Sequence, residues 1–223
     1  MILRNPLNFI SQLLTNSSKH LRNIYLNSDY YDKKISKINS NNLFYKPSPH
    51  LLSSLIKYQK KKINIDDIEI ENLWDKKKIN VQDFRKLNNF YWFFSLDLKS
   101  SKKNTQNIVS EWIIKNFRYN SKSWEFDLTS KRIIAWLSNH NLTVEEGGKD
   151  YLENFNEIIQ KQTNHLMNEI KNSKIVDDKI IGCAAIILVG LCFKDEKNYL
   201  AFGLSLLKKI SILSFDNYGF PKS

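Results

Sequence analysis

Glycine and proline are scarce, at 6 and 4 in 223 residues. An all-β sandwich or barrel needs frequent tight turns, which these two residues serve best, so that class is disfavoured and a mainly helical chain is expected. Cysteine is scarcer still. Cys183 and Cys192 stand in one apolar stretch, where a helix would separate them by roughly 13 Å along its axis. They therefore read as buried thiols, and a disulfide framework is excluded. Long hydrophobic runs are missing: the longest, 180–193, is too short to span a bilayer, so no transmembrane segment is expected. Met1-Ile-Leu-Arg-Asn-Pro lacks the sustained apolar core and small-residue cleavage site of a secretory signal. A soluble protein, cytoplasmic by default, is expected.

What the chain has in excess is positive charge, +11 at pH 7. A basic surface attracts nucleic acid, anionic lipid or acidic polysaccharide. Arginine is rare, however: of 34 cationic residues only Arg4, Arg22, Arg85, Arg118 and Arg132 carry the guanidinium fork used on bases and phosphates. No basic stripe interleaves with aromatics, and no nucleic acid is expected as partner. Phosphate loops, zinc spacings, nucleophile elbows and paired-carboxylate motifs are absent. His20, His50, His140 and His165 are scattered with no second ligand at metal spacing, so neither a metal nor another cofactor is expected.

Three regions follow along the chain. Residues 1–47 read as an amphipathic helix over about 6–26, then a polar, Tyr/Asn/Ser-rich linker. Residues 48–79 read as a short helix from about His50 to Lys60 and a strand-like or irregular segment near 62–75. From 80 to 223 the pattern is regular and helical. Asn80 is expected to cap a helix running to Leu98, and a second runs from about 104 to 117. Asp127 is expected to cap a third, and the Gly147-Gly148 turn precedes a long fourth. Asp177 or Asp178 is expected to cap a fifth, apolar nearly all round, and Tyr199–Phe215 forms a sixth. First members near 81, 128 and 178 give αα-hairpins at a period of about 47 to 50 residues, and such hairpins must stack to cover their apolar faces. The expected architecture is an incomplete α/α toroid. Because the sequence stops straight after the last hairpin, a fragment of a longer protein is expected.

The most informative stretch is Trp124-Glu-Phe-Asp-Leu-Thr-Ser-Lys-Arg-Ile-Ile-Ala-Trp-Leu-Ser-Asn-His-Asn141. On a helix, Arg132, Trp136 and either His140 or Asn139 recur at spacings of three to four and share a face. Such a stripe suits a cleft for a charged sugar, with Arg on the carboxylate and Trp on the apolar face of the ring. It equally suits a core in which Trp136 is packed and Arg132 satisfies a neighbouring group.

This stretch resembles a motif of the heparinase II/III family of polysaccharide lyases, in which a Trp precedes a helix bearing an Arg and then a Trp. Around it, Phe90-Tyr-Trp-Phe-Phe-Ser-Leu-Asp-Leu98 is similar to that family's aromatic helix, and Ile108–Ile114, with Glu111-Trp112, to the next. Gly182–Phe193 resembles its small-residue inner helix, and Ser214–Ser223 the turn that follows. The resemblance spans about residues 72–223. It implies an α/α toroid, normally followed by a β-sandwich domain, and β-elimination on uronate-containing glycans such as glycosaminoglycans. In that chemistry an amide, Arg or His neutralises the carboxylate, a Tyr or His takes the proton, and a Tyr protonates the leaving oxygen. The implied partner is an acidic polysaccharide, and the periplasmic location of many relatives is a second compartment to weigh.

The chain departs from the pattern at Val176-Asp177-Asp178-Lys179, where many relatives place an Asn: a carboxylate there repels a uronate. The usual catalytic Tyr and later His would lie beyond Ser223. No catalytic residue is transferred, and the chain alone is expected to be inactive as a lyase. Arg132, Trp136 and His140, with Trp92, are the expected substrate-binding residues. The competing readings are a non-catalytic helical glycan-binding or scaffold module, and a basic binder of polyanions or membrane surfaces. Oligomeric state is left open.

Overall fold

The computed structural model describes residues 18–37, 43, 45–47, 74, 80–97, 99–193, 199–216, 219, 220 and 222. It is mainly helical. Residues 18–26 are helical, followed by α1 (Asp29–Ile35), α2 (Val81–Asn88), a 3₁₀ turn (Tyr91–Ser95), α3 (Lys102–Asn116), α4 (Phe126–Ser138), α5 (His140–Thr143), α6 (Lys149–Glu169), α7 (Val176–Cys192) and α8 (Tyr199–Ser214). No strand occurs among the described residues beyond an isolated antiparallel bridge between Leu43 and Phe193. The short helix from His50 and nearly all of the 62–75 segment lie outside the described residues.

Local chemistry explains most boundaries. The Asn80 side chain accepts from the Asp83 N–H at 2.9 Å and starts α2, and Ser101 does the same for α3 through Asn104 at 3.2 Å. Two expected caps are corrected. α4 begins at Phe126, so Asp127 sits inside its first turn, paired with Arg85 and Lys131. α7 begins at Val176 with Ile175 before it, so Asp177 and Asp178 act on the helix dipole rather than as caps.

The expected helix from Asn80 to Leu98 is broken. Phe90 adopts a left-handed conformation, φ 58°, and the chain continues as a 3₁₀ turn. A bulky residue there costs on the order of 1 kcal/mol or more. The offset is packing: the Phe90 ring is fully buried against Trp74, Trp92, Phe93, Trp112 and Trp136. Asn89 supports the break by accepting from the Tyr91 N–H at 2.8 Å.

The stretch read as a linker, 27–47, contains α1, whose Tyr31 and Ile35 are fully buried. Its anchor is polar, which is why composition hid it. Tyr31 Oη lies 2.7 Å from His165 Nδ1, Asn164 donates to the Ile35 carbonyl at 2.6 Å, and the buried Lys161 pairs with Asp32 at 2.8 Å. All three partners belong to α6.

Among the described helices α7 packs most extensively, along α8 and along α4, while α6 touches α1, α3, α4 and α7. Small residues allow the close approach. A Cβ on Gly182 of α7 would lie 2.5 Å from the Phe126 ring of α4, and one on Gly190 would lie 2.4 Å from the Leu200 backbone nitrogen of α8.

Candidate functional site

The structure places Arg132 and Trp136 in the interior, each with no exposed surface. Arg132 is a buried cation without a carboxylate partner among the described residues. Its Nη1 donates to the carbonyls of Asn88 (2.9 Å) and Ser123 (3.0 Å), its Nε to Gln162 Oε1 and its Nη2 to Thr129 Oγ1, both at 3.2 Å. The guanidinium also lies 3.9 Å from the centre of the Trp112 ring. One side chain thus joins the end of α2, the 120–124 turn, α4 and α6. Burial holds its pKa well below the usual range, and neutral acceptors with an aromatic face are what keep the charge tolerable.

Trp136 packs against Phe90, Trp112 and Phe155. Trp92 is buried too and donates its indole N–H to the Leu87 carbonyl at 3.2 Å. As arranged, Arg132, Trp136 and Trp92 present no accessible face to a sugar. The three form one aromatic and cationic core because α4 is buried on nearly every side.

His140 stands apart. It opens α5, keeps 8 % of its surface exposed, and its Nε2 lies 3.6 Å from Glu145 Oε1. Partial burial lowers its pKa first and Glu145 opposes the shift; Lys46 and a hydrogen bond to the Pro47 backbone add smaller effects. Beside it opens a cleft of about 620 Å³ between Leu43, Lys46, the 144–149 turn and the start of α6. Leu43, Val144 and Leu152 supply apolar lining, and Lys46, Lys149 and Asn156 polar lining. The Glu145 and Glu146 carboxylates at the rim are both bound by Lys102, at 3.2 and 2.5 Å. Glu153 lines the cleft as well and stands 3.9 Å from Lys149, so three carboxylates share it with two exposed cations, Lys46 and Lys149.

The opposite end of α4 carries ion pairs. Arg85 spans both carboxylate oxygens of Asp127 at 2.9 and 2.8 Å and also pairs with Glu125, and Lys131 joins Asp127 at 3.3 Å. Asp178 faces this cluster. Its carboxyl is raised above the ordinary value by burial and then by Asp127, with Lys131 and Arg85 opposing. Asp178 belongs to the 176–179 segment, in which the resemblance implies an Asn. No cluster of His, Cys, Asp and Glu able to hold a metal occurs among the described residues, and no described helix is long and apolar enough to cross a membrane. Cys183 and Cys192 are free and buried.

Pattern reading missed the polar interior of α6. Gln160, Lys161, Gln162, Thr163 and His165 are all buried. His165 is pushed down to about 3, mainly because burial disfavours the imidazolium. The unfolded chain takes up this proton below about pH 6.5, while the folded chain stays neutral. The stabilisation is therefore complete above pH 6.5 and declines as pH falls towards 3. The midpoint of urea denaturation is expected to drop steadily over that interval, and His165→Gln to flatten the profile; an unchanged profile would contradict the neutral, Tyr31-bonded imidazole.

No family model matches this chain, and neither a curated protein nor a solved structure matches it.

Proposed function

We propose that this chain is the helical, toroid-type part of a polysaccharide lyase that handles acidic, uronate-containing glycans. The observation that carries the reading is the placement of α4 beside α7. These helices hold the Arg132–Trp136 motif and the small-residue segment on which the resemblance to heparinase II/III lyases rests, and Gly182 against Phe126 gives the segment's small residue a reason. Of the three expected αα-hairpins, the α4–α6 and α7–α8 pairings fit two, while α2 packs mainly on the 3₁₀ turn and α4 rather than on α3.

In this reading Arg132, Trp136 and Trp92 build the wall behind the site. Glycan contact falls to the cleft beside His140, where Lys46 and Lys149 meet carboxylates and Leu43 and Leu152 meet ring faces. The proton-abstracting and proton-donating groups of β-elimination have no assigned counterpart in the chain.

A non-catalytic glycan-binding or scaffold module is the second reading, and Asp178 favours it. Asp177 and Asp178 put carboxyls, not an amide, in the segment where carboxylate neutralisation would be needed, and Asp127 lies near enough to raise the Asp178 carboxyl further.

The test is calorimetric titration with a uronate oligosaccharide. Lys46→Glu with Lys149→Glu, both at exposed positions, is expected to weaken binding about tenfold, roughly 1.4 kcal/mol. Unchanged affinity in the double variant would remove the cleft from the account.

A further inference from the structure

A groove of about 270 Å³ lies between the end of α6, the start of α7 and the second half of α8, remote in sequence from the His140 cleft. Its lining divides sharply. Leu206, Ile210 and Leu213 recur along one face of α8 and, with Ile170, form an aliphatic floor. Lys171, Lys179 and Lys209 stand around it. No acidic side chain lines the groove, and no ion pair engages these lysines among the described residues. The neighbouring acids are drawn elsewhere: Glu169 pairs with Arg22, and Asp178 faces Lys131 and Arg85. Leu213 is 65 % exposed, and Ile212 beside it 59 %.

We propose that this groove docks an amphipathic helical segment of a partner protein, placing aliphatic side chains on the α8 floor and carboxylates against the three lysines. The proposal is independent of the glycan reading. Charge complementarity fixes the sign of the partner's flanks, and the i, i+4, i+7 spacing of the floor matches the anchor spacing of a helix laid along it. The groove is open, with Leu213 65 % exposed on its floor, which suits anchor side chains laid along it rather than an enclosed small ligand. A glycan fits poorly, since its hydroxyls would lie on aliphatic carbon with no aromatic platform and no acceptor side chain in the lining.

The probe is an end-capped synthetic helix with leucines at i, i+4 and i+7 flanked by glutamates, and the readout is methyl NMR of the full chain. Shifts centred on Leu206, Ile210 and Leu213 are expected. Lys171→Glu, Lys179→Glu and Lys209→Glu combined should weaken binding about tenfold or more, and the same peptide with glutamines should bind as weakly. Leu213→Ser, at an exposed position, tests the floor separately and should weaken binding with the dependence on salt unchanged. Absence of shifts at the groove, equal binding of the glutamine peptide, or full affinity in either variant would overturn the proposal. So would groove shifts produced by a uronate oligosaccharide or by anionic vesicles but not by the peptide.

Discussion

Arg132→Ala is expected to destabilise the protein by about 4 kcal/mol, a large share of the roughly 5 to 15 kcal/mol that holds an ordinary domain folded. The loss has two sources. Removing the guanidinium leaves the buried carbonyls of Asn88 and Ser123 without their charged donor, each costing about 1 to 3 kcal/mol. It also opens a void beneath the Trp112 ring, in a core that also holds Phe90 and Trp136. Arg132→Lys should recover only part of the loss, because a single ammonium cannot span Asn88, Ser123, Gln162 and Thr129 at once. Urea denaturation followed by circular dichroism measures both variants. A sugar-contacting arginine behaves in the opposite way, losing affinity while keeping stability.

Gly190→Ala is expected to cost about 3 kcal/mol, at the upper end of what overpacking does. The added Cβ would stand 2.4 Å from the Leu200 nitrogen and 2.8 Å from its Cα, and both are backbone atoms that cannot rotate aside. Relief requires α8 to move off α7, which weakens the most extensive helix pairing described. Gly148→Ala is the control, since a Cβ there meets nothing within 4 Å. A thermal melt showing the Gly190 variant equal to the Gly148 variant would contradict the close approach of the two helices.

These two positions mark what the sequence disclosed and what it concealed. The small-residue run of α7 and the stripes of α3, α6 and α8 placed those helices to within a few residues, because apolar periodicity and start signals act locally. The side of α4 that meets solvent was not legible. Periodicity groups Arg132, Trp136 and His140 on one face, yet a cation beside an aromatic ring serves a sugar cleft and a packed core equally well. Which of the two occurs depends on α6 and the 3₁₀ turn, which close over α4 from distant parts of the chain. The break at Phe90 was hidden for a related reason: its left-handed backbone is offset by an aromatic cluster of five residues drawn from the adjoining 3₁₀ turn and from three more distant places, Trp74, Trp112 and Trp136.

Polarity concealed α1 and the interior of α6. Tyr31 with His165, Asp32 with Lys161 and Asn164 with the Ile35 carbonyl join the two helices, so residues that hydropathy assigns to solvent are buried or half-buried against partners. Burial of matched polar groups leaves no mark on a hydrophobic pattern, since neither partner is apolar. His140 is nearly as buried as Trp92, and it meets the cleft assigned to glycan through Glu145, which lines that cleft with Lys46 and Lys149.

The most direct test of the proposed function compares the affinity of the chain for a uronate-rich oligosaccharide with that for inorganic polyphosphate of the same charge, at one ionic strength and across a salt series. A glycan site predicts tighter binding of the uronate and a shallower salt dependence, because ring contacts add to charge. Equal affinities that fall together steeply with salt would reduce the interaction to the Lys-rich surface alone and contradict the account.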